Sequence, residues 1–166
     1  PFFNLSLEPL VIKDGPGIIL NMAFASSKAG VGPMAAVAGA VARAGVSAAE
    51  ESGATFCIVD NGGDIAMITD RPVRVGLYAG SSSLSGKYAF LIPPKKEIFG
   101  ICTSSATVGH SLSFGTADSV TVFSSDPVLA DAVATAVCNL LSVEDQSCLD
   151  DIDPQIEGIF AVLGEK

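Results

Sequence analysis

Short apolar runs broken by Gly, Pro, Asn and Asp alternate along the chain with two longer, Ala-rich stretches. Runs of four to eight residues bounded by turn residues predict strands. On that basis Thr55–Asp60 and Ile65–Thr69 form a pair, joined by Asn61-Gly62-Gly63-Asp64. Val73–Tyr78, Tyr88–Ile92 and Ile98–Cys102 follow between Gly-, Ser- and Pro-rich turns, then Ser119–Phe123 and a last strand at Gly158–Leu163. Ile18-Ile19-Leu20, after the turn signal Asp14-Gly15-Pro16-Gly17, predicts one more short buried strand. The Ala-rich stretches predict helices. One spans Pro33 to Ala44 and resumes through Ser47 to Glu51, with Pro33 in its first turn, where a missing N–H costs nothing. The other spans Asp126 to Leu141, capped by Ser125 or Asp126 with Pro127 following. Strands packed with two long helices predict an α+β sandwich with an antiparallel or mixed sheet, and 166 residues suit a single domain.

Composition narrows the class. With 49% hydrophobic and 16% charged residues the chain must fold. The net charge of −9 and the scatter of its few cations, with Lys95–Lys96 the only adjacent pair, argue against nucleic acid as a partner. An anionic small molecule remains open if backbone N–H groups or a metal supply the positive field. The four cysteines show no CxxC or zinc spacing, so reduced and mostly buried thiols are expected, in keeping with a cytoplasmic compartment. No apolar run is long enough to span a bilayer and no signal peptide is visible. Because the chain begins at Pro1 rather than Met, an upstream portion is expected to precede it. A homo-oligomer is compatible with all of this.

Chemistry concentrates in a few segments. Asp131 is the one charge in the second helix beyond its opening residue. A helix apolar on nearly all faces is covered on nearly all faces, and a carboxylate buried there needs a partner such as a metal, a hydroxyl or a backbone donor. The competing reading leaves Asp131 facing solvent near the first turn, favoured by the helix dipole. Thr135 lies four residues on, along the same stripe. Asn61-Gly62-Gly63-Asp64 reads as a tight hairpin turn, with Asp64 a plain turn residue, or as a side-chain-free platform for a ligand. Gly30 to Gly39 puts small residues at a helix start, which suits close packing or an anion equally. The stretch Cys102–Gly115 is dense in hydroxyls (Thr103, Ser104, Ser105, Ser111) and holds His110, the only histidine. Such a loop can hold phosphate through hydroxyls and free N–H groups, and His110 is a general base, a ligand contact or a structural residue. A Ser/His/Asp hydrolase is formally available, but no Gly-x-Ser-x-Gly elbow supports it.

Taken in order, GVGPMAAVAGA (Gly30–Ala40), NGGD (Asn61–Asp64), CTSSATVGHSLSFGTAD (Cys102–Asp118) and LADAVATA (Leu129–Ala136) resemble the ApbE-like superfamily and its short, largely uncharacterised bacterial and archaeal branch. The resemblance implies T-fold-like halves with FAD or FMN held between segments. It also implies a Mg²⁺-dependent transfer of FMN from FAD to a threonine of an acceptor protein, releasing AMP. It places Asp131 and Thr135 at the metal, with Asp131 and His110 in catalytic roles. Asn61, Gly62, Gly63 and Asp64 then face the flavin or adenine, and Thr103, Ser104, Ser105 and Ser111 the phosphates. Two departures stand out. Met34-Ala35-Ala36 replaces a Lys-Gly-Tyr-like element, and His110-Ser111-Leu112-Ser113-Phe114 replaces a His-x-x-Asp-Pro stretch. The expected activity is therefore a flavin or related nucleotide-binding protein, at most a transferase, with a non-catalytic protein of the same fold as the alternative.

Overall fold

The computed structural model describes residues 6–106 and 117–164. Three helices lie on one face of an antiparallel sheet and a small hairpin lies on the other, so the architecture is α+β. The helices are α1 (Gly17–Ala29), α2 (Val37–Glu51) and α3 (Pro127–Leu140), with a 3-10 turn over Pro33–Ala36 leading into α2. The strands are β1 (Cys57–Asn61), β2 (Asp64–Thr69), β3 (Val73–Gly76), β4 (Ala89–Ile92), β5 (Lys95–Ser104), β6 (Ser119–Ser124) and β7 (Ile156–Val162). The main sheet runs β1-β2-β5-β6-β7, and β3 pairs with β4 as a separate two-stranded sheet. Every pairing is antiparallel.

Two sequence expectations are corrected. Ile18-Ile19-Leu20 is the first turn of α1, not a strand. β-branched residues tip a short window toward strand, but the burial of Met22, Ala23, Ala25 and Ser26 follows helical spacing, and packing on α3 decides. The helical layer therefore has three members, not two. The second correction concerns α2, which runs without a break through Gly45. A Cβ at Gly45 would stand 3.1 Å from Val59 Cγ2, so this glycine lets β1 approach the helix.

Ten of the fourteen residues of α3 are buried, which makes it the centre of the helical layer. Its N-cap is Asp126, whose carboxylate accepts the Val128 N–H at 3.0 Å and pairs with Arg43 at 3.1 Å. The largest core packs α3 against α1, the start of α2 and the inner side chains of β5 and β6, Cys102, Val120 and Val122 among them. On the same face, Ala66 and Ile68 of β2 meet Ala42 and Val46 of α2. Strand alternation sends Ile65, Met67, Phe99 and Ile101 to the opposite face, against Ile92 of the hairpin. Phe90 joins the two sheets, with edge-to-face contacts to Phe123 at 5.0 Å and Phe160 at 5.3 Å. All four cysteines are free thiols, as expected. Among the described residues no single helix is long and apolar enough to cross a membrane.

Candidate functional site

The turn between β1 and β2 begins the site. Gly62 (φ 73°) and Gly63 (φ 103°) both occupy the left-handed region, so the two-residue hairpin reading of Asn61-Gly62-Gly63-Asp64 holds, with Asn61 paired to Asp64. The turn closes on itself, the Gly63 N–H donating to Asp60 Oδ1 at 2.9 Å. Asn61 Nδ2 donates to the Ala38 carbonyl at 3.3 Å and so ties the turn to the start of α2.

Asp64 is not a plain turn residue. It opens β2 on the helix-facing side, where its Oδ1 accepts the Thr103 N–H at 3.2 Å and the carboxylate meets the Cys102 thiol. Burial raises Asp64 to about 7, opposed by those two hydrogen bonds and assisted by the charge of Asp60. Across from it stands Asp131, only 7% exposed, which excludes the solvent-facing reading of this residue. Its Oδ2 accepts the Gly39 N–H at 2.8 Å, and the Ala38 N–H also reaches the carboxylate. These are donors in the first turn of α2 that have no partner within the helix. Burial, and then the charge of Asp64, push Asp131 well above the usual carboxylate range, while the two N–H groups pull it back. Asp131 is thus buried and Asp64 half-buried, close enough for the charge of Asp64 to act on Asp131. The Cys102 thiol lies beside both and donates to the Pro127 carbonyl at 3.3 Å. Burial, and then the flanking carboxylates, push the Cys102 thiol up, which disfavours the thiolate that a nucleophile needs.

Glycines make this pairing sterically feasible. A Cβ on Gly39 would lie 2.3 Å from the Pro127 carbonyl oxygen and 2.8 Å from Asp131 Cβ. A Cβ on Gly100 would lie 2.5 Å from Pro127 Cα. Pro127 is clasped between them, and α2, α3 and β5 meet backbone to backbone. The small residues of Gly30–Gly39 therefore serve close packing, and the Ala38 and Gly39 N–H groups that an anion would take are directed at the Asp131 carboxyl.

The remaining candidates separate by face. Ser104 is buried on the helix side with Cys102. Thr103 and Ser105 project to the hairpin side, where Thr103 Oγ1 lies 2.9 Å from Thr121 Oγ1 and Ser105 Oγ donates to the Asp118 carbonyl at 2.6 Å. There they line a cavity of about 420 Å³ beneath the β3–β4 hairpin, together with Gly62, Gly63, Tyr78 and Phe90. Thr103 belongs to both faces, its N–H serving Asp64 and its hydroxyl the cavity. Thr135 is half-buried one turn beyond Asp131. His110 and Ser111 lie outside the described residues. Among the described residues no group of three or more His, Cys, Asp or Glu is arranged to hold a metal ion.

Sequence reasoning missed Cys102 as the neighbour of two carboxylates, and missed the cavity wall formed by Tyr78, Phe90 and Thr121. It also missed the pairing of Asp64 with Asp131. One signal was present: a glycine at position 39, inside an Ala-rich helix, marks a close approach.

An antiparallel sheet under three helices makes this an α+β protein. A family model described as "AbpE bacteria" matches residues 1–154. Proteins named UPF0280 protein are similar over the full chain. That of Methanospirillum hungatei JF-1 is 78% identical over 166 residues, covering 100% of this chain and 68% of the relative. That of Methanosphaerula palustris is 55% identical over 165 residues, covering 99% and 70%. That of Methanothermobacter thermautotrophicus is 48% identical over 173 residues, covering 99% and 67%. The chain belongs to this uncharacterised bacterial and archaeal family.

Proposed function

We propose that the chain is an ApbE-like protein of T-fold-like halves that binds FAD, FMN or a related nucleotide with Mg²⁺, and that its furthest activity is transfer of FMN to an acceptor protein. The observation that carries this reading is the half-buried Asp64 set beside the buried Asp131, with no cationic side chain between them among the described residues. Two carboxylates desolvated together repel, and a divalent cation offsets both their burial and their repulsion. Oxygen donors suit Mg²⁺. Asp131 and Thr135 would hold the ion, with Asp64 beside Asp131. Bound there, it would supply positive charge to phosphate oxygens, which the chain's scattered cations do not. On the other face, the side-chain-free Gly62–Gly63 turn and the hydroxyls of Thr103 and Ser105 open onto a cavity that Tyr78 and Phe90 also line.

A second reading, a non-catalytic protein that keeps the small-molecule pocket, is favoured by one feature. Asp131 already accepts two backbone N–H groups and Asp64 one, so the pair is satisfied without a metal once protonated. Titration with FAD, with and without Mg²⁺, separates the two. Mg²⁺ should tighten FAD binding to the wild-type protein and have no effect on an Asp131→Asn variant. FAD affinity indifferent both to Mg²⁺ and to that substitution overturns the metal-dependent reading and leaves the non-catalytic one.

A further inference from the structure

The cavity under the hairpin lies on the sheet face opposite the carboxylate pair, and its wall has a distinct chemistry. Among the described residues its only charged side chain is Asp60, an anion. Two backbone donors that a phosphate could use are engaged elsewhere: the Gly63 N–H by Asp60 and the Thr103 N–H by Asp64. A phosphate there would face a carboxylate with no cation, in a chain of net charge −9. This cavity is no phosphate cradle.

Its other features favour a flat, uncharged guest. Phe90 meets Phe123 and Phe160 edge-to-face and forms an aromatic wall. Tyr78, also lining the cavity, is 66% exposed, so its ring is available to stack. Nothing lies within 4 Å of where a Cβ would stand on Gly62 or Gly63, so the turn leaves open space at the rim. Besides Asp60 and Ser105, whose hydroxyl donates to the Asp118 carbonyl, the cavity holds the Thr103–Thr121 hydroxyl pair at 2.9 Å. One hydroxyl donates to the other, which leaves one free proton and lone pairs to read a ring edge. The volume, about 420 Å³, lies in the range of small-molecule sites.

We infer that this cavity binds a neutral planar heteroaromatic ring without metal, with Tyr78 as the stacking, specificity-determining residue and the Thr103–Thr121 pair reading the ring edge. The inference deepens the nucleotide-binding reading by assigning the ring to the hairpin face and leaving the phosphates outside it.

The probes are riboflavin and adenosine, ring systems without phosphate, titrated in EDTA by fluorescence and by calorimetry. The expected result is saturable binding of at least one of them, which also tells an isoalloxazine site from an adenine site. Tyr78→Ala should weaken it roughly three- to tenfold and Tyr78→Phe should preserve it. Thr121→Val, nearly isosteric, should alter the ranking of the two probes. Because the Tyr78 side chain is exposed, far-UV circular dichroism of the two Tyr78 variants should match the wild type; Thr121 is buried, so its variant is compared only after its fold has been checked the same way. Binding of neither probe, competition by inorganic phosphate, or indifference to Tyr78→Ala overturns the inference. Its failure is distinct from that of the metal-dependent reading. Mg²⁺-tightened FAD binding untouched by Tyr78→Ala would sink this inference alone. Ring binding without any Mg²⁺ effect on FAD would sink only the other.

Discussion

Two carboxyl groups, Asp64 and Asp131, make the native state sensitive to pH. Burial raises Asp64 from an ordinary 3.8 to about 7 in the folded protein, so the native state holds its proton more tightly than the unfolded chain. A raised acid contributes stability in full below its unfolded pKa and loses it as pH rises through the folded value. The metal-free protein should therefore lose on the order of 2–3 kcal/mol between pH 5 and 7.5 from this residue. Urea denaturation in EDTA across that range measures the slope, and Asp64→Asn should flatten it. A wild-type curve that is level or rises with pH would contradict this placement of Asp64 beside Asp131. The two residues are 67 positions apart in sequence, and no local pattern links them. Asp131 was legible as an isolated charge in an apolar helix, because helix periodicity exposes such a residue. That Asp64 faces it follows only from the register of β2 against β5 and the crossing of α3 beneath them.

Among the elements, those with strong punctuation were legible. Asn61-Gly62-Gly63-Asp64 was readable because positive φ at two successive positions demands glycine, and α3 because Asp126-Pro127 marks its start. α1 was not, because Gly17–Ala29 has no side-chain cap at its N-terminus and opens on two β-branched residues. Nothing local contradicts a strand there, and tertiary packing overrides the local preference. The cap of α3 has an energetic consequence. Asp126 both accepts the Val128 N–H and pairs with the half-exposed Arg43. Asp126→Ala should cost about 1–2 kcal/mol of unfolding free energy, whereas Asp126→Ser should retain most of it, since exposed ion pairs contribute little. Equal losses for both variants, measured by chemical denaturation, would shift the weight from the cap to the ion pair.

For the molecule as a whole, the hairpin is the lightly attached part. Its own two strands pair only with each other, and its grip on the main sheet runs through Phe90 and a few aliphatic neighbours. Phe90→Ala removes both edge-to-face contacts and should cost about 2–4 kcal/mol. It should also raise amide exchange in Val73–Ile92 above that of the main sheet. Uniform acceleration throughout the chain would mean that the hairpin does not open by itself. The helix side is built differently, with Pro127 clasped between Gly39 and Gly100 so that backbone rests on backbone. Side chains absorb small displacements by changing rotamer, and a contact with no side chain has no such slack. The carboxylate pair is therefore mounted on the stiff half of the molecule and the ring cavity on the compliant half. Whatever shape change a ligand induces falls to the hairpin, while the spacing of Asp131 from α2 stays as folding set it.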